Sequence, residues 1–219
     1  MRHSYYAFLL SAAVLSFPAA GANADAFDEF LTSAKTFQAE FLQEIYSAGG
    51  EIVEESAGRL SISRPGRFRW EYDDPEQLIV ADGEQLWLYD IELDQITVSE
   101  QAENLAGSPA ALLGGDENAL DDFNVLKQFM VEDIEWTRLE PKNANTDFRS
   151  ISIGFRDGLI VVMELKDALE QTTRIRFSDV TMNAELADDL FDIEVPDGVD
   201  VINQMAPAER SVSTDPADG

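Results

Sequence analysis

Apolar and polar residues alternate along most of this chain, but the first segment has a longer period. Phe27, Phe30, Leu31 and Ala34 recur at the three- and four-residue spacing of one helix face, which predicts a helix over residues 26–35. From Phe37 the period drops to two. Phe37, Ala39, Phe41, Gln43 and Ile45 fall on one side, predicting a first strand over 37–46 that ends in the turn Ser47-Ala48-Gly49-Gly50. Further alternating segments predict strands at 54–63, 68–72, 77–81, 85–89 and 95–99. A Gly-, Ser- and Ala-containing middle, 104–127, breaks the alternation, and its pieces 109–113 and 120–127 suit short helices. Strands resume at 130–139, 149–155, 159–165 and 172–179, followed by a short helical piece at 184–190. Asp82-Gly83 and Asp157-Gly158 are hairpin signals. About ten strands without βαβ spacing predict an α+β fold, a single curved antiparallel sheet with helices on one face.

Many of these strands carry a large apolar residue at every second position, so one face of the sheet is continuously greasy. The helices expected to cover it are few and short, offering little beyond Phe27, Phe30, Leu31 and the Leu112-Leu113 pair. Burying apolar surface contributes about 25 cal/mol per Å², so an incompletely covered concavity favours an apolar guest such as an acyl chain. Alternation nominates Leu60, Ile62, Trp70, Leu78, Val80, Leu88, Trp136 and Ile153 as cavity-lining residues.

The first 24 residues read as a cleavable secretory signal. Arg2 precedes an apolar run from Tyr5 to Phe17, and small residues end in Ala22-Asn23-Ala24. The run is short for a membrane span, no later stretch approaches the ~20 apolar residues a span needs, and no Cys follows the cleavage site. The expected mature product starts at Asp25, is exported, and carries neither a lipid anchor nor a stably inserted segment. Residues 25–202 form the expected domain. From Asn203 to Gly219 the acidic and polar composition predicts a disordered tail.

Charge and missing residue types narrow the chemistry. The net charge is −28, and removing the signal takes one cation and no acid, leaving −29. Such a chain repels nucleic acid and anionic lipid surfaces. The one His lies inside the signal, and there is no Cys, which excludes Ser-His-Asp and Cys-His catalysis, thiol redox chemistry and His- or Cys-ligated zinc. No cofactor or metal is expected. An enzyme would have to use paired carboxylates such as Glu71 with Asp73 or Asp74, and among 43 acids such pairs arise by chance.

Against this background Arg59, Arg64, Arg67 and Arg69 form a local positive island. Arg59 and Arg69 are expected to balance neighbouring acids. Arg64 abuts the Pro65-Gly66 turn, where its five-donor fork can reach backbone carbonyls of a covering helix.

At this segment the chain resembles the LolA family of periplasmic outer-membrane lipoprotein carriers. The resemblance rests on Gly58-Arg-Leu-Ser-Ile-Ser-Arg64-Pro65-Gly-Arg-Phe68-Arg-Trp70-Glu-Tyr72, then Pro75, Val80-Ala-Asp82-Gly83, Leu86-Trp87-Leu-Tyr89-Asp90 and Asp94-Gln95. The Phe37-Gln-Ala-Glu-Phe41 segment and the terminal Phe191-x-Ile-x-Val-Pro196 also fit. The resemblance implies an open, half-closed β-barrel with an α-helical lid and a hydrophobic cavity. It implies a monomeric chaperone that carries the acyl chains of lipoproteins from an inner-membrane ABC transporter to an outer-membrane receptor. Arg64 matches the arginine that latches the lid, and Phe68 the rim aromatic that contacts partners. The sister receptor shares the fold but is a lipoprotein, which a chain without Cys cannot be. An envelope lipid- or lipoprotein-sensing module of the same half-barrel fold is the other reading, and it would be expected to bring an additional domain.

Overall fold

Two-residue periodicity builds one continuous sheet, seen here in a computed structural model that describes residues 26–101, 109–114, 119–143 and 146–205. The expected signal, and the tail beyond Met205, lie outside the described residues. The first half of the sheet runs β1 (Thr36–Tyr46), β2 (Ile52–Ser63), β3 (Arg67–Asp73), β4 (Glu76–Asp82), β5 (Gln85–Asp90) and β6 (Gln95–Glu100) as consecutive antiparallel hairpins. The second half runs β7 (Phe123–Val131), β8 (Ile134–Pro141), β9 (Phe148–Arg156), β10 (Leu159–Asp167) and β11 (Thr172–Met182) in the same way. The halves join where β11 pairs antiparallel with β1. A short β12 (Asp200–Asn203) adds to β6 in parallel. The strand order β12-β6-β5-β4-β3-β2-β1-β11-β10-β9-β8-β7 leaves β12 and β7 as unpaired edges, so the sheet does not close.

The sheet is nevertheless strongly curled. Leu86 on β5 and Phe148 on β9 line one cavity although seven strand spacings separate them in the sheet. At about 4.8 Å per spacing a flat sheet would hold them roughly 30 Å apart. The concave face carries the apolar side of β1 as its periodicity predicts, with Phe37, Ala39 and Phe41 buried there alongside Ile151, Ile153, Ile175 and Phe177. Gly58 permits one close crossing. A Cβ at this position would lie 1.8 Å from the Glu71 carbonyl oxygen and 3.0 Å from the Phe41 ring. Phe41 can therefore reach across β2 to Trp70 and Tyr72, with ring centres 5.3 and 5.2 Å away.

Two short helices, α1 (Ala26–Ser33) and α2 (Pro109–Gly114), cover part of this face. Phe27 and Phe30 of α1 are buried against Phe155 at 6.2 and 6.0 Å between ring centres, and Phe30 meets Phe37 edge-on. Leu112 and Leu113 of α2 are fully buried. The start of α1 is tied to the far side of the cup, where the Ala26 N–H donates to Glu135 Oε1 at 3.0 Å.

Four sequence expectations change. Residues 120–127 form a 3-10 turn (Ala119–Asp122) and then the start of β7, not a helix, because the segment from Phe123 onward pairs antiparallel with β8. The expected strand 130–139 is instead a hairpin: Val131 faces Ile134 across the two-residue turn Glu132-Asp133, with Glu132 at φ 55°. Residues 184–190 form only the 3-10 turn Asp188–Phe191. Asn203, assigned by composition to the tail, ends β12, where parallel pairing with β6 holds the segment despite four exposed side chains.

Candidate functional site

The concave face holds an apolar cavity of about 390 Å³, within the range of about 300–1,000 Å³ usual for ligand pockets. Phe68 and Trp70 of β3 form one wall with Ile79 of β4 and Leu86 of β5. Phe148 of β9, Leu165 of β10 and Ile175 of β11 face them. Gln43, Tyr72 and Thr173 supply the polar groups of the lining, which among the described residues contains no Asp, Glu, Lys or Arg. Burial pushes the Tyr72 phenol up to about 12, with Gln43 accepting its hydrogen bond at 3.4 Å, so it stays protonated.

One arginine ties the two lid helices together beside this cavity, where Phe68 lies both under α2 and in the cavity wall. Arg64 leaves the end of β2 and donates from Nε to the Leu113 carbonyl at 2.9 Å, from Nη1 to Leu31 at 3.0 Å and from Nη2 to Leu112 at 3.2 Å. These carbonyls belong to the last turns of α2 and α1, where helix geometry leaves acceptors unsatisfied and the dipole is negative. A single guanidinium therefore caps both helices and ties them to the same turn. The backbone adds two bonds, from Arg64 N–H to Lys35 O at 2.8 Å and from Gly66 N–H to Gly114 O at 2.6 Å. Burial lowers the guanidinium to about 10, still far above neutral pH, so it remains charged.

The nominated residues divide between the two faces. Trp70 lines the cavity, and Leu60, Ile62 and Ile153 lie buried on the same concave face in the main core. Leu88 shares that face through its pairing with Ile79 but is 37% exposed, outside the lining. Leu78 and Val80 are corrections. Trp70 pairs with Ile79, so Ile79 is the inward residue, and the neighbours on either side point to the convex face. There Val80 is buried, as are Ile96 and Val98. The Asp188–Phe191 turn lies against β3 and β4 on this side. Phe191 packs under Arg67 at 5.1 Å, and Leu78 lines a polar groove with Arg69, Tyr89 and Ile193.

Trp136 is likewise outside the cavity. It pairs with Gly154, and the buried residues Ile153 and Phe155 on either side of that glycine face inward, so the indole covers the convex side and stacks on Phe129 at 6.4 Å. The bare Gly154 makes room on this side chiefly for its other neighbours: a Cβ there would come 2.6 Å from Val162 Cγ1 and 2.8 Å from Ile134 Cγ2.

Phe68 also departs from expectation. It is 3% exposed, packed beneath Gly114 of α2 and opposite Ile62, so with the lid latched it is a wall residue and not a free rim aromatic. Ile79 is the main residue that alternation missed, because Leu78-Ile79-Val80-Ala81 is apolar throughout. The signal lay in the turn. Asp73 pairs with Glu76 across the two-residue Asp74-Pro75 connection, and this fixes Trp70 opposite Ile79.

The remaining arginines of the island do as expected. Arg69 and Arg59 both hold Glu71, at 2.9 and 3.4 Å. Glu71, the carboxylate nominated for an enzymatic pair, is thereby engaged in ion pairs on the face away from the cavity. Among the described residues no group of three or more acids or His could hold a metal, and no helix is long and apolar enough to cross a membrane.

Residues 32–194 match the family described as outer membrane lipoprotein carrier protein LolA. The chain belongs to the LolA family. The outer-membrane lipoprotein carrier protein of Nitrosomonas europaea is 37% identical over 204 residues, covering 92% of this chain and 99% of its own. That of Nitrosospira multiformis is 40% identical over 177 residues, covering 80% and 86%. Among solved structures, an uncharacterized conserved protein from Thermus thermophilus superposes with a TM-score of 0.52 at 12% identity, covering 81% of this chain and 97% of its own, a likeness of fold alone. The open sheet with a short helical lid is thus the fold of a LolA-family chain. The family consists of carriers, and this member is not an enzyme.

Proposed function

We propose that this protein carries the acyl chains of lipoproteins through the periplasm, accepting them from an inner-membrane ABC transporter and surrendering them to an outer-membrane receptor. The observation that carries the reading is the cavity on the concave face, walled by Phe68, Trp70, Ile79 and Leu86 with no charged residue among its described lining, beside helices that one arginine holds over Phe68. Such a site rewards apolar cargo through burial, and it offers a charged headgroup no counter-ion. Arg64 is the lid latch in this reading. A carrier with no ATP of its own needs empty and loaded states within a few kcal/mol, and a few hydrogen bonds to helix carbonyls are a tie that entering cargo can displace. Phe68 contacts partners only once the lid has moved off it. The chain works as a monomer, its domain running from residue 25, after removal of the signal, through the end of β12 at Asn203.

Native mass spectrometry of protein taken directly from periplasm tests this. Added mass matching acylated polypeptide is the expected result. A protein that is always empty, and that fails to release bis-ANS when a lipopeptide is added, would overturn it.

A further inference from the structure

The cavity is apolar, yet its lining contains donors that the protein leaves under-used. Trp70 is 7% exposed, and its indole N–H meets no acceptor among the described residues. A buried N–H left unpaired costs free energy comparable to a lost hydrogen bond, so its persistence calls for a reason. Tyr72 stacks beside it at 6.3 Å between ring centres. The Tyr72 hydroxyl donates to Gln43 Oε1 at 3.4 Å, and Gln43 Nε2 donates to Ser56 Oγ at 3.4 Å. Both bonds are long against the usual range of about 2.7–3.0 Å, so little is lost when either donor turns to a better acceptor. With its phenol held protonated, Tyr72 remains a donor at physiological pH. Among the described residues no cation lines the cavity.

Neutral donors without a cation select a particular chemistry. A hydrocarbon leaves the Trp70 N–H unpaired, whereas a carboxylate or phosphate would be desolvated without a counter-ion. An ester or amide carbonyl on a long apolar chain meets both conditions: it accepts one or two hydrogen bonds and carries no charge. We propose that the Trp70 indole N–H, assisted by Tyr72 and Gln43, donates to the carbonyl of a bound acyl ester or amide, so that the cavity recognises an acyl group and discriminates against free fatty acids. This rests on the carrier reading and adds to it the identity of the recognised group. In the latched state the indole nitrogen is closed to water as well as to protein acceptors, so the bond forms as an arriving chain parts Trp70 from the side chains covering it.

Three probes of equal chain length separate the possibilities when their affinities for the purified full chain are measured at neutral pH: a lipopeptide with ester-linked palmitoyl chains, its ether-linked dialkyl counterpart, and palmitate. The ester should bind about 3- to 10-fold more tightly than the ether, the ratio expected of one net hydrogen bond, and palmitate more weakly than the ester. Trp70→Phe keeps an aromatic wall and should bring the ester-to-ether affinity ratio, measured within the variant, to about one. Tyr72→Phe, a second and gentler change, should reduce the preference in part. Equal binding of ester and ether by the wild type, or a full preference retained by Trp70→Phe, would overturn the proposal while the carrier reading stands. Failure of the folded wild type to bind either lipopeptide would remove the carrier reading and this proposal together.

Discussion

The Arg64 guanidinium lies 4.6 Å above the centre of the Phe30 ring, sharing its position with the carbonyls it binds on either side. Phe30 in turn packs on Phe37 and Phe155, so the latch rests on a side chain of the lid that also fills the cup. A cation over an aromatic face gains more as water is excluded, which couples the strength of the latch to the closure it produces.

Arg64→Leu removes three donors and keeps apolar bulk. Two helix ends then hold unsatisfied carbonyls, so the empty protein should lose about 2–4 kcal/mol and still fold, since the sheet is untouched. Closure no longer rewards release of cargo. Carrier–cargo complex should accumulate, and transfer to purified receptor should slow; equal release rates for pre-loaded wild type and variant would refute the latch.

Phe68→Glu now carries an expectation opposite to that for an exposed rim residue. A carboxylate introduced at a position 3% exposed, beneath α2, must be desolvated or must drive the lid open. The urea midpoint should fall by the equivalent of about 3 kcal/mol or more. An unchanged midpoint would mean that the ring stands free in solution.

Adjacent residues on β4 should behave as opposites. Ile79→Glu places a charge in the cavity and should abolish saturable binding of bis-ANS. Leu78→Gln changes the convex groove and should leave that binding within about twofold of wild type. Comparable losses from both would contradict the assigned register.

Asp82 holds the β4–β5 turn. Burial raises its carboxyl, but the N–H groups of Gln85 and Glu84 at 2.7 and 2.8 Å, with the Trp87 indole at 3.0 Å, outweigh burial and hold it below its ordinary 3.8. A depressed folded-state value stabilises the protein above the unfolded value, and the gain is lost as pH falls through the folded one. Asp82→Ala should therefore cost about 1–3 kcal/mol at pH 7, with the difference from wild type shrinking below about pH 4 in urea titrations. A cost that is flat with pH would show that the ionised carboxylate contributes nothing.

The sequence by itself determined the local order of this protein. Two-residue alternation placed nine of the strands, β1–β6 and β9–β11, within a few residues of where they lie. The inward side of β1 followed directly, because Phe37, Ala39 and Phe41 alternate with polar residues. Arg64 was legible for a local reason too: a five-donor side chain next to a Pro-Gly turn at a strand end has few backbone carbonyls within reach other than those of a covering helix. The tertiary structure decided the rest. Which face of β4 or β8 turns inward depends on register, and register depends on turns such as Asp74-Pro75 and Glu132-Asp133 and on curling that brings β5 against β9. Alternation is blind to a strand that is apolar on both faces, as at Leu78-Ile79-Val80-Ala81, and to a large aromatic that covers the outer side, as Trp136 does. Nor could it foresee that Phe68 would lie under α2. That contact is made by residues 46 positions apart, and only the folded chain brings them together.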